Sequence, residues 1–191
     1  MIKSPTAAGF YNPYTNVYCD LPPLSPTRYS HTLTGVVACG GYTSTSTVLS
    51  SCSTFNTATG NWTESYEIPP QRGQSAWQNS QGILLMGGRP AGANSSIYNS
   101  TTLLLPEGGH KPGFDLVSPT CYSCAIPDPR SDSVIVLGGF DYGKVSISTV
   151  IRYGESGFLE FLPSLNYPRV SPGCAGYYND NNQLVCIKSK S

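Results

Sequence analysis

Three short apolar runs, each closed by two glycines, constrain this chain more than any other feature. They are "VVACGG" at 36–41, "ILLMGG" at 83–88 and "VIVLGG" at 134–139. Their second glycines, Gly41, Gly88 and Gly139, lie 47 and 51 residues apart. Around each pair the same features return in the same order. A short strand and a polar turn come before it ("HTLTGVV", "AWQNSQGILL", "AIPDPRSDSVIV"). A polar loop and a β-branched run come after it ("TVLSSCSTF", "STTLLL", "STVIRY"), followed by a turn, a last strand and a Pro-rich link.

A fixed period is sought before single elements are assigned, because missing it misassigns the whole fold. A period near fifty fits a four-stranded propeller blade and is too long for leucine-rich or ankyrin units. The alternation and turn chemistry predict strands at about 36–40, 83–87 and 134–138. No 3.6-residue apolar stripe is present, so helices are expected to be nearly absent. Aromatic residues mark the hairpin between the third and fourth strands. Phe55 and Trp62 flank "NTATGN", and Tyr11 and Tyr18 flank "NPYTNV" at the same gap. Such cross-strand pairs pin register. Tyr153 with Phe158, and Phe114 after "PEGGHKPG", keep the pattern more loosely.

Four apolar residues, a double glycine and a spaced aromatic pair resemble the Kelch repeat, from Tyr11 to about Ile187. With "CDLPPL", "ACGG" and "CAIPDP", the chain is more particularly similar to extracellular Kelch-type proteins of invertebrates. The resemblance implies an all-β propeller of four-stranded antiparallel blades. The expected units are a half blade at 7–22, blades at 26–68, 71–118 and 120–165, and a half blade at 168–188. The propeller is therefore expected to be incomplete, a fragment of a larger one.

Eleven basic and eleven acidic residues cancel, and charged residues make up only 12% of the chain. Nucleic acid and anionic membranes demand a basic surface, so neither is an expected partner. The apolar runs are far too short to span a bilayer as a helix. Seven cysteines and sequons at Asn61, Asn94 and Asn99 favour an oxidising, extracellular setting. The segment Met1-Ile-Lys-Ser-Pro has no apolar core, so a signal peptide is not expected within this chain.

Cys39 and Cys52 bracket the "YTSTST" loop and are the expected disulfide. Cys174 and Cys186 lie symmetrically about "NDNN" and could bond across a hairpin. An inter-blade bond between Cys124 and Cys174, which occupy matching places in neighbouring units, competes with that pairing. Cys121-Tyr-Ser-Cys124 is a C-x-x-C, but no second ligand pair accompanies it, and it opens a strand instead of a helix, so metal or redox use is not expected.

His31 and His110 are the only histidines and fall in different structural settings. No nucleophile elbow, zinc motif or phosphate-binding loop is present. Neither catalytic residues nor a cofactor are expected. The expected function is a non-catalytic binding module for a protein or glycan ligand. The alternative is part of a galactose-oxidase-like copper enzyme whose catalytic residues lie outside this chain. In a propeller, the loops after second strands and the links between blades share one face. That face is expected to gather Arg28, Tyr42, Arg72, Arg89, Phe140, Asp141, Tyr142 and Arg169, opposite the turns at Asn61, Asp128 and Asp180.

Overall fold

The computed structural model describes residues 8–12, 14–43, 47–92, 95–128, 130–143, 145–178 and 184–188 of the 191-residue chain. Among these residues every regular element is a β-strand. No helix long and apolar enough to cross a membrane occurs among them.

Three four-stranded antiparallel sheets follow one another along the chain. A two-stranded hairpin, β1 (Ala8–Asn12) and β2 (Val17–Leu21), precedes them. The first sheet holds β3 (Thr32–Thr34), β4 (Val37–Cys39), β5 (Ser51–Asn56) and β6 (Asn61–Glu67) in sequence order. The second holds β7 (Ser75–Asn79), β8 (Gly82–Met86), β9 (Thr101–Leu104) and β10 (His110–Pro112). The third holds β11 (Cys124–Asp128), β12 (Ser133–Leu137), β13 (Val150–Gly154) and β14 (Gly157–Leu162). A hairpin of β15 (Cys174–Tyr178) and β16 (Leu184–Lys188) follows. The strands expected at 36–40, 83–87 and 134–138 are thus β4, β8 and β12.

The second strands carry apolar runs because both faces of each sheet are covered. In β8, Ile83 and Leu85 pack with Val37, Cys52 and Ile68 of the first sheet. Leu84 and Met86, on the other face, pack with Val134, Val136 and Ile151 of the third. In β12 the alternation repeats, with Ile135 and Leu137 facing the last hairpin through Leu165 and Cys174. Burying one such side chain stabilises by about 2 kcal/mol, so a strand covered on both faces is mainly apolar; the buried Ser133 that opens β12 has its hydroxyl hydrogen-bonded to that of Ser131. The first strands of successive sheets adjoin, β3 with β7, β7 with β11 and β11 with β15. The arrangement is propeller-like.

The aromatic pairs hold the outer hairpins. Phe55 lies opposite Trp62, with ring centroids 5.3 Å apart, and Tyr153 lies opposite Phe158. Phe114 instead crosses to the next sheet and stacks on Tyr153 at 5.6 Å. Two disulfides reinforce different levels of the fold. Cys39–Cys52 joins directly opposed residues of β4 and β5. Cys124–Cys174 joins β11 to β15, bridging two sheets. The Cys174–Cys186 hairpin bond is therefore not formed. The register of that hairpin sets Cys174 opposite Lys188 and Cys186 opposite Gly176, two residues away from the symmetry read in the sequence.

Candidate ligand-binding face

Each glycine pair turns the chain out of its second strand at a seam between sheets. Gly87 has φ 64° and Gly88 has φ 91°, both in the region that L side chains rarely adopt. A Cβ on Gly87 would meet the Thr120 carbonyl of the next sheet's entry segment, and one on Gly88 would sit 3.0 Å from the Arg72 carbonyl. Lack of a side chain lets the second glycine donate its N–H across the seam. Gly41 donates to Gln71, Gly88 to Thr120 and Gly139 to Arg169, at 2.7–2.8 Å.

A second set of backbone bonds runs through the entry segments. Ser30, Gly73, Tyr122 and Ser171 all have φ between 49° and 65°. Gly73 N–H donates to Ser30 at 2.9 Å, Tyr122 to Gly73 at 2.6 Å and Ser171 to Tyr122 at 2.9 Å. These four left-handed residues define the repeat register more sharply than the hairpins do.

One position before the left-handed residue, each entry segment bridges to the residue after its glycine pair. The bridges are Tyr29 with Tyr42, Arg72 with Arg89 and Cys121 with Phe140. Equivalent backbone positions of three sheets thus place these pairs on one face. Tyr29 and Tyr42 stack at 5.4 Å, and Tyr122 meets Phe140 edge-on at 5.6 Å. Between them, the Arg72 guanidinium lies 5.1 Å from the Tyr42 ring centroid and that of Arg89 lies 5.8 Å from Tyr122. Both are cation–π distances.

Of the residues expected on this face, the structure brings together Tyr42, Arg72, Arg89 and Phe140. Asp141 and Tyr142 follow in the adjoining loop. Asp141 accepts the Gly143 and Val145 N–H groups, and Tyr142 is 62% exposed.

Arg28 does not belong to the surface. It is 1% exposed and donates to the Gly40 and Ser51 carbonyls and to the Ser51 and Ser53 hydroxyls. Counted from the left-handed residues, Arg28 is equivalent to Gln71, Thr120 and Arg169, not to Arg72. One step along an extended chain turns a side chain to the other side. Thr120 does the same work as Arg28 in its own sheet, with its hydroxyl directed to the Gly138 carbonyl. Arg169, half-buried, shares that position.

Tyr29 and Tyr122 were missed by sequence reasoning. Their signal was "YSH" at 29–31, "RGQ" at 72–74 and "CYS" at 121–123, three dissimilar triplets at unequal distances from the glycines.

The remaining candidates are dispersed. Asn61 is exposed at the start of β6, just after the turn from β5, and its side chain donates to the Thr59 carbonyl at 3.2 Å. Asn99 is half-buried, while Asn94 and Asp180 lie outside the described residues. Asp128, expected in an exposed turn, is only 6% exposed and accepts the Arg130 N–H. His31 is half-buried and His110 is exposed. The C-x-x-C is split, since Cys124 is bonded to Cys174 and Cys121 is buried and free. Burial pushes the Cys121 thiol up to about 11, against the opposing pull of Arg89 and Arg72. Among the described residues no group of three or more His, Cys, Asp or Glu side chains could hold a metal ion.

By fold, the chain falls in the class of all-β proteins with propeller-like packing of four-stranded sheets. It is similar to the solved structure described as "Structure of YjhT", with a TM-score of 0.62 and 12% identity over 78% of this chain. The match covers 48% of that chain, so this sequence spans about half of its length. At that identity the likeness concerns the fold alone. No family model matches the sequence, and no curated protein matches it.

Proposed function

We propose that this chain forms blades of a Kelch-type β-propeller and serves as a non-catalytic, extracellular binding module. Its ligand, a protein or a glycan, docks on the face carrying Tyr42, Arg72, Arg89 and Tyr142. The observation that carries the reading is the alignment of three bridge pairs at equivalent backbone positions of consecutive sheets. Repetition of a backbone frame with different side chains is how a rigid scaffold presents a recognition surface. Tyr and Arg combine large contact area with hydrogen bonding, which makes them frequent carriers of interface energy. The two disulfides are compatible with an oxidising compartment and support the extracellular part of the reading.

The test is affinity capture from extracellular fluid, followed by alanine substitution. Arg89→Ala and Tyr142→Ala should each weaken capture at least tenfold. Lys111→Ala and Glu107→Ala, at the exposed turn and strand of the second sheet's outer hairpin, should leave it unchanged. The reverse pattern would assign the ligand to the opposite side.

A further inference from the structure

The Arg72–Arg89 pair carries an electrostatic deficit. Arg72 is only 8% exposed, yet its side chain makes neither a hydrogen bond nor an ion pair among the described residues, and its Nε is buried without a partner. Arg89 is half-buried, and its Nε is likewise buried and unpartnered. The Arg152–Glu160 ion pair lies elsewhere, across β13 and β14. Asp141, the acid in the adjoining loop, directs Oδ1 to two N–H groups of that loop. The Cys121 thiol feels both guanidiniums but stays neutral, since burial pushes it up to about 11. Two cations thus stand bridged on one face, desolvated in part and supported only by aromatic rings. Burying an unpaired charge is costly, and arginines kept in that state are suited to a planar oxyanion.

The rings also define the occupant. Arg72 leans on Tyr42, in the preceding sheet, and Arg89 leans on Tyr122, at the entry to the following one. The two guanidiniums are drawn to opposite flanks instead of converging on a single oxyanion. Extended polypeptide carries alternate side chains on the same side, about 7 Å apart. The aromatic faces, meanwhile, are already engaged: Tyr42 by Tyr29 and Arg72, Tyr122 by Phe140 and Arg89. That leaves little free ring surface beside the arginines for stacking a sugar, and the exposed Tyr142 ring lies in the adjoining loop.

We infer that Arg72 and Arg89 form a twin carboxylate-reading site for an extended acidic peptide segment with acids on alternate residues. This deepens the proposed binding function and rests on it.

The experiment titrates the full chain, at low and at high salt, with a short peptide containing Glu-Ser-Glu and with its Gln-Ser-Gln counterpart, followed by NMR. The acidic peptide should bind at least tenfold more tightly than the neutral one and weaken as salt rises. Arg89→Gln, at a half-exposed position, should lose at least tenfold with an unchanged near-UV spectrum. Arg72→Gln should do the same if it folds, and Arg152→Gln should bind as the parent does.

Equal binding of both peptides, no binding of the acidic one, or full binding by Arg89→Gln would overturn the inference. So would binding of polygalacturonate in place of the peptide, which would assign the arginines to an acidic glycan. A captured natural partner that protects this face from hydrogen exchange without depending on the arginines would sink this inference alone. Protection on the opposite side would sink the proposed function as well.

Discussion

Arg28 and Arg72 differ in sequence setting by little and in structure by everything. Arg28 directs four hydrogen bonds at the carbonyls and hydroxyls where the first sheet's glycine pair leaves β4. Arg28→Ala would strand those buried acceptors, so a loss of about 3 kcal/mol or more is expected in urea unfolding. His31 depends on the same neighbour. Its pKa lies below the ordinary 6.5, chiefly through burial and also through the Arg28 charge, although its Nδ1–H donates to the Arg28 carbonyl. With the folded pKa depressed, the unfolded chain binds the proton more readily. Stability should therefore fall as pH drops below about 6.5, and His31→Gln should flatten that part of the profile. The sequence showed an Arg before each of three first strands, but not which strand face each would take. A shift of one residue decides between a buried brace and a ligand contact, and hairpins of unequal length conceal that shift.

Within elements, the legible features were those imposed by burial on both faces and by backbone conformation. β8 could be read because Ile83 through Met86 must be apolar between two neighbouring sheets, and because a Cβ at its end would run into the Thr120 and Arg72 carbonyls. The left-handed positions were not legible, since serine, glycine and tyrosine all occupy them; what they share is a backbone bond. The hairpin β15–β16 was misjudged because symmetry about a turn is not register. Disulfide roles follow from the elements they join. The loop closed by Cys39–Cys52 spans 13 residues and that of Cys124–Cys174 spans 50. Loop-closure entropy then predicts losses of about 3 and about 4 kcal/mol on replacing each pair by serine. Thermal denaturation of the two double variants checks both the order and the size. A larger loss from the shorter loop would contradict the entropic account.

At the scale of the whole molecule, shared cores and seam bonds make neighbouring sheets interdependent. Trp62 lies in the first sheet and Trp77 in the second, so fluorescence reports on those two sheets while far-UV circular dichroism reports on all. The two signals should share one urea midpoint, and separate midpoints would mean that the sheets unfold independently. Gly87→Ala, which puts a methyl group against Thr120 across the seam, should lower the unfolding free energy by about 2 kcal/mol and shift the midpoint down without splitting the transition. The seam bonds through Ser30, Gly73, Tyr122 and Ser171 are made entirely by peptide groups. Beside them, Tyr with Tyr, Arg with Arg and Cys with Phe already occupy one backbone geometry. The alphabet at these positions is accordingly free to change while the page that carries it stays the same. Replacing Tyr29 and Tyr42 together by arginine should add a second cationic pair one sheet along from Arg72 and Arg89, giving a differently spelled surface on an unaltered frame.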